Sequence, residues 1–342
     1  MTSLSLENLR KLYNQTMAQA DPRCDSYPFM DSPDKMLAMI GLYLFIVWQG
    51  PKLMVPYKPW DLKNTIIGYN FAMVILSLYI SVGTVVGIYK AGGYSVLCDS
   101  LDKYQVNENN ETEYHYMNIG WLFFISKPIE FFDTVFFILR KKNSQITFLH
   151  VYHHATMTVF TWLGLKFLPG GTNVIYPLIN SFVHAVMYTY YGLSACGPSM
   201  RKYLWWKKYL TKLQISQFVI FLTQGVINVM YDCPFPKIFV YAVYIYTFSI
   251  LLLFINFYVK AYIKSPSQKP LKGTNAAKNG SAQNGEAIAC AQNGEAVGHV
   301  NNGEAIARAK NGGAITRAKN GEAKARAKNG EISAKGDSKK IK

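Results

Sequence analysis

The run IFVYAVYIYTFSILLLFINFYVKAY, Ile238–Tyr262, carries Lys260 as its only charge. A helix needs about 20 apolar residues to cross the hydrocarbon of a bilayer, and this run is long enough. Six stretches of the same kind precede it, near Met36–Val55, Asn64–Tyr89, Met117–Leu139, Gln145–Leu168, Asn173–Cys196 and Leu210–Tyr231. They are aromatic-rich, continuous rather than alternating, and parted by short polar connectors. In lipid, backbone amides have only one another as partners, so such runs form helices. Seven buried core helices of a soluble fold are the weaker alternative. The sequence therefore predicts an all-α membrane protein. A lumenal N-terminal segment, 1–35, leads into seven transmembrane helices over 36–263, and a tail follows, 264–342. No cleavable signal peptide is expected at the N-terminus.

Composition separates the two last parts. Only 16% of the 342 residues are charged, against about 25% in soluble proteins, yet the net charge is +16. Residues 264–342 hold 15 basic and 6 acidic side chains, whereas residues 1–263 hold 21 and 14 and are strongly apolar. That excludes one ordinary soluble domain. Five cysteines exclude a disulfide-dense secreted one. In the tail, Asn-Gly recurs every nine residues from Asn284 to Asn329, in units close to Asn-Gly-Glu-Ala-Ile-Ala-Arg-Ala-Lys. Such units have little to bury, so a disordered basic tail is expected. Lys339 and Lys340 resemble a dilysine retrieval signal for the endoplasmic reticulum.

The connectors orient the bundle. Those after spans 1, 3 and 5, with the exit of span 7, carry Lys52, Lys58, Lys63, Arg140, Lys141, Lys142, Arg201, Lys202, Lys207, Lys208, Lys212 and Lys260. Those after spans 2, 4 and 6 carry or border only Lys90, Lys103, Lys166 and Lys237. Basic short loops stay cytosolic, so the N-terminus is expected in the lumen and the tail in the cytosol. The glycosylation sequons at Asn14 and Asn110 then fall on the lumenal side. So do Cys98 and Cys233, where disulfides form, and a bond between them is expected; two unpaired thiols are the alternative.

Polar residues inside the spans are costly and mark function. Span 3 holds Lys127, Glu130, Asp133 and Thr134 on one stripe. Span 4 holds His150, His153 and His154 within about 100° of arc. Span 5 holds the ladder Asn180, His184, Tyr188 and Tyr191, and span 6 holds Thr211, Gln214 and Gln217. Turned inward together they line one polar chamber. Taken singly, His184 or the glutamines could be helix–helix glue, and Lys127 with Glu130 a buried ion pair. Three histidines on one face call for chemistry. One answer is a metal held by these imidazoles with Glu130 or Asp133, as in membrane di-iron desaturases and hydroxylases. Those enzymes need more histidines than the four this chain keeps in its spans, since His115 lies at the lumenal edge and His299 in the tail. The other answer is imidazole as nucleophile and acid/base.

At these residues the chain resembles the ELOVL family of very-long-chain fatty acid elongases, over roughly residues 30–263. Four family motifs stand in order: Lys127-x-x-Glu130-x-x-Asp133-Thr134, His150-Val-Tyr-His153-His154, Asn180-x-x-x-His184-x-x-Met187-Tyr188 and Thr211-x-x-Gln214-x-x-Gln217. Gly-Leu-Lys166 and the Lys-rich tail with Ala334-Lys335-Gly336-Asp337 resemble the subgroup acting on very long and polyunsaturated chains. The resemblance implies helices 2–7 enclosing a narrow acyl tunnel in the endoplasmic reticulum membrane. It implies condensation of acyl-CoA with malonyl-CoA to 3-oxoacyl-CoA, CoA and carbon dioxide, with no cofactor and no metal. His153 is then the nucleophile of an acyl-imidazole. His184 aids proton transfer, and His150 and His154 set tautomer and position. Glu130 and Asp133 orient the imidazoles. Asn180, Gln214 and Tyr188 face developing oxyanions, with Lys127 and Gln217 in support. Arg140, Lys141, Lys142, Arg201, Lys202, Lys207 and Lys208 suit the CoA phosphates, and equally the positive-inside rule. Phe167 and Val229 are expected to stop the acyl chain at the lumenal end. Other elongation-cycle enzymes and a second copy of the chain are the expected partners, and nucleic acid is not. A metal-dependent lipid oxidase, and a seven-helix transporter or receptor, are the rival readings.

Overall fold

The computed structural model describes residues 6–99, 111–233 and 237–264, with the short segments 299–301, 304–308, 315–319, 326–328 and 331–333. The chain forms two units, Met1–Lys269 and Pro270–Lys342.

In the first unit a short helix α1, Leu6–Met17, precedes seven helices of 20 or more residues: α2 (Pro33–Leu53), α3 (Lys63–Lys90), α4 (Glu111–Leu139), α5 (Phe148–Phe167), α6 (Ile175–Ala195), α7 (Lys207–Met230) and α8 (Lys237–Tyr258). A π-turn, Val259–Ile263, extends α8. Local chemistry sets the ends. Ser32 precedes Pro33 at the first turn of α2, where a missing N–H costs nothing. Thr147 caps α5 by accepting from the His150 N–H. Four helices among the described residues are long and apolar enough to cross a membrane: α2, α3, α7 and α8 with its extension. Helices α4, α5 and α6 carry the buried polar groups. The protein is a multi-pass membrane protein.

Helix contacts close a ring. α3 packs on α4, α4 on α5, α5 on α8, α8 on α7, α7 on α6 and α6 back on α3, while α2 lies outside against α4 and α5. Small residues permit the approach, as between helices in lipid. A Cβ added at Gly83 on α3 would run into the Ile119 side chain of α4, and one at Gly120 on α4 would lie 2.7 Å from Leu165 Cδ1 of α5.

The N-terminal lead is more than a leader. Its segment through the turn Pro22–Ser26 is lodged on α4 and α5, and Cys24 and Met30 share a buried cluster with Met117, Phe124, Trp162 and Leu165. The last turn of α5 supplies the reason: Lys166 O accepts from Asp21 N at 2.8 Å, Leu165 O accepts from Cys24 Sγ at 3.2 Å, and Lys166 Nζ is paired with Asp25. A buried lysine at a helix end needs that carboxylate. Burial likewise pushes the Cys24 thiol up to about 12. Nearby, Cys98 and Cys233 form a disulfide, with Cα atoms 5.5 Å apart, tying the α3–α4 connector to the one after α7.

The tail departs from the expectation of no regular structure. Five short strands lie in it: β1 (His299–Asn301), β2 (Glu304–Arg308), β3 (Ile315–Lys319), β4 (Arg326–Lys328) and β5 (Glu331–Ser333). β1–β2–β3 and β4–β5 pair antiparallel, with Ile306 opposite Arg317 and Ala327 opposite Ile332. Alternation within Glu-Ala-Ile-Ala-Arg, broken by Asn-Gly, is a hairpin pattern, which the low-complexity reading passed over.

Candidate active site

α4 and α6 bring the polar groups together from opposite sides of the ring. Lys127 Nζ donates to Glu130 Oε1 at 2.8 Å and to Asn180 Oδ1 at 3.0 Å. His184 Nδ1 stands 3.0 Å from the same Glu130 oxygen, a close contact without hydrogen-bond alignment. All four residues are buried. One turn further along α4, Tyr188 OH donates to Asp133 Oδ2 at 2.8 Å.

The first turns of α5 present the three histidines. His150 Nε2 lies 2.7 Å from Thr134 Oγ1, which in turn meets Tyr43 OH of α2 at 3.2 Å. The His150 and His154 rings are 4.3 Å apart between centroids, and those of His153 and His154 5.8 Å. His153 differs from its neighbours. Its Nδ1 is sealed and unpartnered, and no hydrogen bond to either ring nitrogen is present among the described residues. The residue is half-buried where His154 is buried, so Nε2 is the atom left reachable. Among the described residues no three His, Cys, Asp or Glu side chains are gathered to hold a metal ion.

A cavity of about 110 Å³ adjoins this cluster on its lumenal side. It begins at Met157, one turn past the histidines, and passes Phe160, Thr161 and Gly164 on α5 towards Leu168. α4, α6, α7 and α8 supply the other walls, and α3 supplies none of the lining. Asn180 and Gln217 mark its polar end. Its wall is otherwise apolar and aromatic, with Phe160 stacked on Tyr246 at 4.3 Å. Apolar walls with a few converging polar groups are the usual form of a small-molecule site.

Several expected placements change. Asp133 faces Tyr188 rather than an imidazole, and Thr134 is the group that positions His150. Tyr188 has committed its proton to Asp133, and Gln214 Nε2 its donor to Met187 Sδ at 3.5 Å, so neither is free to face an oxyanion. Thr211 leaves the chamber and meets Tyr262 OH at 3.4 Å, joining α7 to the extension of α8. Tyr191 is 41% exposed. Val229, also exposed, lies on the outer face of α7, and neither it nor Phe167 lines the cavity. Lys141 Nζ donates to Val55 O, which ties the end of α4 to the connector after α2. Arg140, Lys142, Lys202, Lys207 and Lys208 are exposed at helix ends, and Arg201 lies in the turn Pro198–Tyr203. Asn14 is exposed on α1, while Asn110, Lys339 and Lys340 fall outside the described residues.

Tyr43, Tyr246 and Asp25 are additions that the residue stripes did not reveal. Tyr43 sits in an apolar span with no spacing signal, and Asp25 in a polar lead. Tyr246 lines the cavity with an unpartnered hydroxyl; its only trace in the sequence is one more tyrosine among many.

Comparison with known proteins places these residues. The model of the ELO family, GNS1/SUR4, matches residues 28–270. The chain is 44% identical over 285 residues to very long chain fatty acid elongase 4 of Homo sapiens, covering 83% of this chain and 88% of that one. It is 44% identical over 257 residues to very long chain fatty acid elongase 7 of Rattus norvegicus, covering 74% and 90%. It is 40% identical over 265 residues to very long chain fatty acid elongase 5 of Xenopus tropicalis, covering 78% and 87%. The matched region takes in every polar group of the buried cluster and the whole cavity wall, and the chain therefore belongs to the GNS1/SUR4 (ELO) family.

Proposed function

We propose that this protein is a 3-oxoacyl-CoA synthase of fatty acid elongation, joining acyl-CoA to malonyl-CoA through an acyl-histidine at His153. The observation that carries the reading is an unpartnered, reachable imidazole at the mouth of a closed apolar cavity, with a second imidazole held against a buried carboxylate across the ring. The relatives' names support the reaction class.

The acyl-CoA chain would thread the cavity with its thioester at the histidines. A ring nitrogen of His153 attacks the carbonyl carbon; the C–N bond forms, the C–S bond breaks, and CoA leaves as thiolate. Malonyl-CoA then loses carbon dioxide, and the resulting enolate attacks the acyl carbon. The C–C bond forms, the C–N bond breaks, and the free imidazole returns. His184, oriented by Glu130, would shuttle the proton between imidazole and thiolate. His150, fixed by Thr134, and His154 would hold the His153 ring in place. Water hydrolyses an acyl-imidazole, which is a reason to form it inside a bundle. CoA phosphates would meet the exposed basic residues at the cytosolic helix ends. This reading sets the enzyme in the endoplasmic reticulum membrane with a lumenal N-terminus and a cytosolic tail, and other enzymes of the cycle as partners.

Incubation of the purified protein with acyl-CoA alone tests it. Free CoA and a protein heavier by one acyl group are expected, and His153→Ala abolishes both. CoA released only when malonyl-CoA is present overturns the two-step scheme.

A further inference from the structure

Asn180 is placed unlike the other amides of the site. Lysine has donors and no acceptor, so the atom that meets Lys127 Nζ at 3.0 Å must be the amide oxygen. The orientation of this side chain is thereby fixed by chemistry. Lys127 is in turn held by Glu130 at 2.8 Å and cannot swing away. Asn180 lines the cavity at its polar end. Its Nδ2 has no hydrogen-bond partner among the described residues and is not sealed as an unpartnered buried atom, so it opens on the cavity. Gln217, the other amide at that end, has a sealed Oε1 with no partner. Nothing on the page fixes which way its amide faces. The donors on Tyr188 and Gln214 are already spent.

We infer that Asn180 donates from Nδ2 to the substrate thioester oxygen as it becomes an oxyanion, and that Lys127 is the positioning residue that aims it. The inference rests on the condensation reading. When a nucleophile adds to the thioester carbonyl, the carbonyl π pair moves onto oxygen. Donors that already point at that oxygen need no reorganisation and stabilise it most. When the tetrahedral adduct collapses, the pair returns and CoA departs as thiolate, so the amide gains and loses no proton. Lys127 itself is directed at Glu130 and Asn180 and acts only through them.

The test is Asn180→Asp. The carboxylate keeps an oxygen facing Lys127 and strengthens that contact, but replaces the cavity-facing donor with an acceptor. Incorporation of radiolabelled malonyl-CoA is measured with saturating acyl-CoA. If the unsubstituted protein incorporates no label, the condensation reading fails. If it does, Asn180→Asp is expected to lower kcat by about 100- to 1,000-fold, with KM for acyl-CoA within about threefold and an unchanged detergent-solubilised melting temperature. A role as helix glue predicts the reverse, full kcat with equal or greater stability, and that result overturns the inference. Should Asn180→Asp fail to fold, Asn180→Ala is measured against the same loss. Lys127→Gln, which can face Asn180 with either end of its amide, is expected to lower kcat about 10-fold at constant KM. A kcat for Asn180→Asp or Asn180→Ala within threefold of the parent overturns the assignment of the donor.

Discussion

Replacing Glu130 with Gln should damage the protein twice, by separable routes. Lys127 Nζ and Glu130 Oε1 are 2.8 Å apart, with side chains 3% exposed. At an effective dielectric near 20 their attraction is about 6 kcal/mol. Desolvating each ion costs several kcal/mol, so the pair as a whole contributes little to stability. Removing one partner forfeits the attraction and leaves the other's desolvation unmet, which costs about 3–5 kcal/mol. Glu130→Gln should therefore lower the melting temperature of the detergent-solubilised protein. It also takes the carboxylate from His184 Nδ1, 3.0 Å away, and with it about 100- to 10,000-fold of acid–base assistance. The double variant Lys127→Met with Glu130→Gln separates the two losses. No unpaired charge remains, so the melting temperature should return to the parent value or above, while kcat stays at the level of the single variant or lower. A double variant no more stable than Glu130→Gln would refute the charge argument. A double variant that regains activity together with stability would refute the role given to His184.

Gly164 lines the cavity, and a Cβ built there meets nothing within 4 Å, so Gly164→Leu should fill it without strain. Each displaced chain methylene forfeits roughly 0.8 kcal/mol of burial, and product analysis by gas chromatography should show shorter acyl chains. Val229→Trp, on the outer face, should leave the distribution unchanged; a shift from Val229→Trp and none from Gly164→Leu would mean the chain runs elsewhere. Thiol labelling of the native protein at neutral pH should reach Cys196 and spare Cys24, whose thiol burial holds up at about 12, and Cys98 and Cys233, which should label only after reduction. Loss of that bond in Cys98→Ser should cost about 2–5 kcal/mol, and recovery of both cysteines as free thiols from the unreduced protein would contradict it.

The sequence by itself determined the helices and which of their faces are polar. Lipid leaves a long apolar run no other fold, and 3.6 residues per turn place Lys127 with Glu130, and His150 with His154, on shared stripes before any helix is packed. The capping of α5 by Thr147 and the turn chemistry of Pro33 are equally local. Partners across the ring were not legible. Asp133 shares a stripe with Glu130, yet packing gives one to Tyr188 and the other to His184. Thr211 shares a stripe with Gln217, yet one joins α8 and the other lines the cavity. Periodicity names the face of a helix, but not which neighbour that face meets. The lead segment shows the same limit: its fit on α5 depends on the unpaired carbonyls of a helix end and on the buried Lys166, groups 141 residues from the Asp25 that answers them. The chemistry of the site was written along the chain in residue types, and its division of labour was decided where helices from distant parts of that chain came within 3 Å of one another, where hydrogen-bond geometry admits one partner and excludes the rest.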